Sequence, residues 1–212
     1  MKSLAAFSLL TLAAVAPGIA SADEGLSFSG GATLASKYVG SSGTKYSNGV
    51  AFQPWVELGY NGAYVNLWTS NMQRAVAGNG QEYDLTLGYR GTTGTYDYNV
   101  GYVRYYYSDP SDNCCGEYFG EVSAPANQDL TLGVHVSYDP NSDVLDTRLM
   151  GDYTLTDRIG LGATFGRLSQ DGATYGTVYG SYKINDAISL SATYHDSDET
   201  VPYGVFAVDY AF

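Results

Sequence analysis

The 212-residue sequence is short of positive charge: 10 Lys+Arg stand against 22 Asp+Glu, for a formal charge of −12. That deficit argues against a nucleic-acid partner, because such binding draws mainly on Lys and Arg neutralising phosphates. Cysteine is nearly absent. The 2 present are too few for a disulfide scaffold and lack the spacing of a zinc site. Apart from the extreme N-terminus there is no long apolar run, and a mean hydropathy of −0.16 excludes a polytopic helical membrane protein. What is abundant is glycine, 26 residues, and tyrosine, 21 residues. That composition suits strands and tight turns better than helices.

The first residues read as a targeting segment. Met1-Lys2 is followed by an apolar stretch from Leu4 to Ala16, a break at Pro17-Gly18, and the small-x-small pattern Ala20-Ser21-Ala22. The stretch is too short for a membrane-spanning helix, which needs about 20 residues, and no lipobox-type Cys follows it. We expect residues 1–22 to be a removed signal peptide and residues 23–212 to be one exported domain.

In that domain the apolar period is two. Asp129-Leu130-Thr131-Leu132-Gly133-Val134-His135-Val136-Ser137-Tyr138 alternates without error, as do Asp84–Arg90 and Ile188–His195. Side chains of a strand point alternately to opposite faces, so each segment is apolar on one face and polar on the other. The test yields twelve segments, near 26–38, 49–60, 63–73, 82–91, 95–107, 116–124, 129–139, 143–155, 158–168, 174–184, 187–196 and 203–212. Links after even strands are short, such as Asn61-Gly62, Thr92-Thr93, Thr156-Asp157 and Asn185-Asp186. Links after odd strands are mostly longer and polar, such as Ser41–Asn48, Ser108–Cys115 and Ser197–Pro202. The pattern predicts an all-β fold: a transmembrane, antiparallel, up-and-down β-barrel of about twelve strands.

Tyrosines near the strand ends fit aromatic girdles at the two membrane surfaces: Tyr38, Tyr60, Tyr89, Tyr96, Tyr106, Tyr138, Tyr153 and Tyr194. The chain alternates to its last residue, Phe206-Ala207-Val208-Asp209-Tyr210-Ala211-Phe212. A terminal strand ending in Phe212 resembles the signal by which outer-membrane barrels engage their assembly machinery. The order Ala32–Tyr38, Trp55–Tyr60, Gly62–Asn71, Asp84–Gly91, Asp97–Tyr102 and Tyr105–Tyr107 is similar to the TorF family of small porins. It covers about the first half of the mature chain, with Trp68–Asn71 and Tyr105–Tyr107 its most specific pieces. Ser108-Asp109-Pro110 departs from the Pro-Gly usual after that tyrosine run, and Val39-Gly40 stand where the family commonly has an arginine. The resemblance implies an outer-membrane location and a channel role.

Strand parity assigns the polar face to the barrel interior. Lys37, Trp55, Glu57, Asn66, Trp68 and Asp84 fall there, followed by Arg90, Asp97, Asn99, Glu117 and Glu121. His135, Asp146, Arg148, Asp152, Lys183, His195 and Asp209 complete the set. It holds eight carboxylates and four fixed cations, so a water-filled lumen would prefer cations. Salt bridges could instead knit these groups into a plugged structural barrel. Arg104 and Arg167 have the opposite parity and are expected to face lipid, where a guanidinium can reach lipopolysaccharide phosphate. No enzyme and no cofactor are implied. Asp146/Asp152 and the two histidines read as lumen lining. The loop from Asp139 lacks a calcium loop's glycine at Val144 and its final glutamate at Met150. Cys114-Cys115 fits either a vicinal disulfide or two free thiols. The expected protein is a monomer in contact with outer-membrane lipid, passing small solutes or cations.

Overall fold

A computed structural model describes residues 25–47, 49–72, 80–108, 115–170 and 172–212. The expected signal peptide, Asp109-Pro110 and Cys114 lie outside the described residues. The first four strands are β1 (Leu26–Ala35), β2 (Ala51–Tyr60), β3 (Ala63–Met72) and β4 (Gly80–Thr93). They continue as β5 (Tyr96–Tyr107), β6 (Cys115–Pro125), β7 (Leu130–Asp139) and β8 (Val144–Thr156). The last four are β9 (Ile159–Leu168), β10 (Thr174–Lys183), β11 (Ile188–Ser197) and β12 (Thr200–Ala211).

Each strand pairs antiparallel with its sequence neighbours, and β1 pairs with β12 from Gly31↔Ala211 to Ala35↔Ala207. The sheet is a closed barrel. Closure matters physically because an open edge would leave backbone N–H and C=O groups facing hydrocarbon with no partner.

Alternation sets which face is which. On β7, Leu132, Val134, Val136 and Tyr138 are exposed on the outer wall, whereas His135, Ser137 and Asp139 are buried inside. The same holds round the barrel, with Leu58, Leu87, Val100, Leu149, Phe165 and Val208 all exposed. An apolar exterior around a polar interior inverts the soluble pattern and suits a wall bathed in lipid. No helix among the described residues is long and apolar enough to cross a membrane.

The turns follow from their residues. Asn61 and Gly62 both take positive φ, +48° and +86°, as a type I′ hairpin requires. In the turns after β6 and β10, Asn127 and Asn185 each accept two backbone N–H bonds through the side-chain oxygen, at 2.9 Å. Most strand ends lie within one or two residues of the sequence expectation, and three differences move a link. The β4–β5 turn is at Gly94-Thr95 rather than Thr92-Thr93, because Gly94 supplies the positive φ. The last strand begins at Thr200, leaving only Asp198-Glu199 as its link to β11. β1 ends at Ala35, and the chain after it turns into the barrel.

Two aromatic levels stand on the outer wall. Tyr60, Tyr89, Tyr96, Tyr153, Tyr182 and Tyr210 are exposed near the short-turn end, and Tyr83, Tyr106, Tyr118, Tyr138 and Tyr194 toward the loop end. Tyr38 is a correction: it is only 4% exposed and sits inside, not in a girdle.

Candidate functional site: the barrel lumen

The loop end of the lumen is filled by the segment after β1. Val39 and Lys45 pair as an isolated bridge, and Gly43 turns between them at φ +83°. Ser47 Oγ accepts the Tyr38 N–H at 2.8 Å and donates to the Gly49 carbonyl at 2.6 Å, which lets a polar loop be buried. Tyr46 is fully buried, its ring 4.8 Å from that of Tyr38, which in turn meets Trp68 edge-on at 5.5 Å. Met72, Val103, Tyr105 and Tyr107 complete a hydrophobic cluster inside the barrel, against which Trp55, Val205 and Ala207 pack. On the far side the loop reaches β12, where the Thr200 hydroxyl donates to the Gly43 carbonyl at 3.5 Å. The sequence reading placed Ser41–Asn48 as an ordinary outer loop. Ser41, Ser42, Tyr46 and Ser47 are instead buried.

Beside this plug lies an acidic wall. Glu82 and Asp84 on β4 and Glu117 on β6 are all buried, with Tyr105 on the strand between them. Glu82 was missing from the set expected in the lumen, although its parity matches that of Asp84. The Tyr107 hydroxyl donates to Glu82 Oε1 at 3.2 Å. One oxygen of Asp84, one of Glu117 and the Tyr105 hydroxyl have no hydrogen-bond partner among the described residues. No group of three or more His, Cys, Asp or Glu among the described residues is arranged to hold a metal ion.

At mid-height a belt of polar residues runs strand to strand. Arg148 on β8 is opposite His135 on β7, which is opposite Glu121 on β6, then Asn99 on β5 and Arg90 on β4. Arg148 donates to Asp146 Oδ2 at 2.8 Å, and the Tyr175 hydroxyl reaches the same carboxylate at 2.7 Å. His135 Nδ1 is 3.1 Å from Glu121 Oε2, with the imidazole stacked on Phe119. His195, also buried, lies beside the Tyr203 ring at 6.2 Å.

The turn-end half of the interior is lined by polar side chains, several of them partly exposed. Arg90 pairs with Glu57, and Asn66 donates to the other Glu57 oxygen at 3.3 Å. Asp97 accepts from Thr92 at 2.6 Å, Asp209 accepts from Thr33 at 2.6 Å, and Asp152 takes the Tyr179 hydroxyl. The Arg90 side chain is 40% exposed and that of Glu121 38%, although both face inward. Trp55 is directly opposite Trp68.

The four cations expected on the lumen wall are all engaged. Arg90 and Arg148 are held by Glu57 and Asp146, and Lys37 Nζ donates to the Gly204 carbonyl at 3.4 Å. Lys183 reaches down to Asp186 in the β10–β11 turn at 2.9 Å. Its ammonium holds the Asp186 carboxyl below its ordinary value. Among the described residues no fixed cation forms an ion pair with Asp84, Asp97, Glu117, Glu121, Asp152 or Asp209.

Sequence reasoning missed the lumen tyrosines. Tyr64, Tyr175 and Tyr179 face inward, and a Cβ added at their cross-strand partners Gly88, Gly166 and Gly162 would fall within the rings. Aromatic residues opposite glycine are a signal that could have found them. Arg104 and Arg167 occupy outward positions, Arg104 with its guanidinium carbon 6.0 Å from the Tyr106 ring centre. Cys115 is disulfide-bonded, which excludes the free-thiol alternative for it.

Among solved structures, the chain is similar to the KdgM porin, with a TM-score of 0.66 and 12% identity over 87% of this chain and 99% of that one. This is a porin fold. The NanC porin matches with a TM-score of 0.58 at 12% identity, over 88% and 99% of the two chains. The outer membrane protein Omp33 of Acinetobacter baumannii matches at 0.54 and 10%, over 87% and 97%. At these identities the likeness is of architecture. No protein-family model and no curated protein matches the sequence.

Proposed function

We propose that the protein is an outer-membrane channel for passive diffusion of small solutes and ions, narrowed at its outer mouth by residues 36–50 and preferring cations. The observation that carries this reading is the interior charge: carboxylates without ion pairs line the wall from the plug to the turn end, while Lys37, Arg90, Arg148 and Lys183 are already engaged. A low-dielectric wall focuses such a field and concentrates cations. The partly exposed polar side chains of the turn-end half would line its vestibule. The KdgM porin has been captured with disordered oligogalacturonate, an anionic sugar polymer; the acidic interior here suits neutral or cationic solutes. Export by the N-terminal segment, assembly through the strand ending at Phe212 and a monomeric state belong to the same proposal.

Single-channel recording of refolded protein under a potassium chloride gradient tests it, with a cation-selective reversal potential expected. A second reading, a closed structural barrel, is favoured by the complete burial of Tyr46 and Ser47. Absence of conductance in the natural protein, together with conductance after residues 40–47 are shortened to a tight turn, would establish that reading instead.

A further inference from the structure

The outer wall is not evenly ridged. On β8, β9 and β10 the outward positions Gly151, Ala163 and Gly176 are small, and Leu149, Phe165 and Val178 stand around them. Register makes the depression continuous: Gly151 is opposite Ala163, Ala163 is opposite Val178, and Phe165 is opposite Gly176. The result is a furrow of about 350 Å³ in the apolar wall.

Arg167 stands at one end of this furrow. It is two residues beyond Phe165 on the same face, hence about 7 Å further along β9. It is exposed, with Thr147 and Thr174 opposite it on the flanking strands. Its side chain forms no ion pair or hydrogen bond among the described residues. Two carboxylates stand nearby, Asp196 opposite Gly176 and Asp198, which accepts the N–H of Thr174 at 2.9 Å, and neither is paired with Arg167. A guanidinium rising from an apolar wall at the loop end of a strand meets the headgroup level, where its planar fork suits a phosphate.

We propose that Arg167 and the furrow form one binding site for a phosphorylated lipid of the outer leaflet, the phosphate on the guanidinium and one acyl chain along Gly151, Ala163 and Gly176. The inference rests on the outer-membrane reading, with the longer loops facing outward. Charge complementarity selects the headgroup, and the concave apolar surface buries the chain by the ordinary hydrophobic effect.

Native mass spectrometry of the refolded, detergent-solubilised protein tests the site, with bisphosphorylated lipid A, its dephosphorylated form and phosphatidylglycerol as probes. Lipid A should be retained about tenfold better than its dephosphorylated form. Arg167→Gln should bring the two within about twofold. Ala163→Phe, which fills the furrow, should lower retention of both. Leu58→Phe on the opposite wall should change neither, and heat-modifiable gel mobility checks that each variant is a folded barrel. Equal retention of phosphorylated and dephosphorylated lipid A overturns the proposal, as does equal retention of phosphatidylglycerol or an Arg167→Gln protein that still discriminates. Conductance does not enter the readout, so a barrel that fails to conduct still tests the site, and cell fractionation tests the outer-membrane reading separately.

Discussion

Arg90 on β4 and Glu57 on β2 form an ion pair although their strands do not touch. Tyr64 of the intervening β3 lies between them, its ring centre 4.0 Å from the Arg90 guanidinium carbon. Its hydroxyl donates onward to Asn99 on β5 at 2.9 Å. Four strands are therefore tied together from the lumen side, over and above their backbone ladders. The pair is partly wet, so its contribution is screened. Arg90→Gln should cost about 1 kcal/mol, combining the exposed pair and the cation–π contact. Urea unfolding of vesicle-inserted barrels measures it. A Glu57→Gln/Arg90→Gln double-mutant cycle with no coupling would show that the pair does nothing for stability.

Gly162 on β9 is the partner of Tyr179 on β10, and the ring occupies the space a Cβ would need. Gly162→Ala should lift Tyr179 off the wall and break its bond to Asp152, at a cost of about 1–3 kcal/mol from overpacking. Gly180, on the outward face of the same strand, has only Leu161 Cδ2 at 3.7 Å from such a Cβ. Gly180→Ala should be neutral to within about 0.5 kcal/mol. Equal losses at the two positions in the same unfolding assay would contradict the packing account.

Twelve strands and their inward and outward faces were legible because one period, repeated against one boundary condition, determines both. His135 and Leu132 need only parity to be assigned opposite sides. What parity could not show was the path of the first loop. Ser41, Ser42 and Ser47 look like solvent-facing residues in sequence, and they are buried because local bonds such as Tyr38 N–H to Ser47 Oγ satisfy the backbone. The one available sign was a lack of acidic residues between Ser36 and Val50, unlike the loops at Ser108–Cys115 and Ser197–Pro202, which each carry two. Tyr38 and Tyr175 were equally opaque, since an amphipathic ring fits a membrane surface and a lumen wall alike.

Tyr46 is the residue on which docking of that loop turns. Its side chain is completely enclosed, between Tyr38 and the hydrophobic cluster of β3, β5 and β6. Truncating a buried aromatic ring costs about 3–5 kcal/mol, more than a short loop of few hydrogen bonds can withstand. Tyr46→Ala should undock the loop while the strand ladders persist. Single-channel conductance should rise several-fold with unchanged heat-modifiable mobility. Conductance identical to that of the natural protein would mean the loop does not obstruct the path.

Orientation follows from the asymmetry of the links. β1 begins and β12 ends at the short-turn end, so an epitope tag between Asp198 and Glu199, or in the β5–β6 link, should be labelled on intact cells. Tags at Asn61-Gly62 or Asn185-Asp186 should be reached by antibody only after the outer membrane is opened. Labelling of the second pair on intact cells would invert the barrel.

Selectivity tests the interior charge most directly. Asp84 and Glu117 are buried on the same inner wall as Glu82, and burying like charges side by side is costly. Replacing them with isosteric amides removes repulsion without changing volume, so Asp84→Asn and Glu117→Gln should fold at least as well as the natural protein. In the channel they should lower the potassium-to-chloride permeability ratio by about twofold or more, because the focused negative field weakens. Asp186→Asn, at a solvent-exposed turn and already neutralised by Lys183, should leave the ratio unchanged. The natural preference should also shrink between 0.1 M and 1 M salt, as the Debye length falls from about 10 Å to about 3 Å. A chloride-preferring reversal potential would reject a carboxylate-lined path, and a ratio insensitive to both amide substitutions would place the conducting route away from β4 and β6.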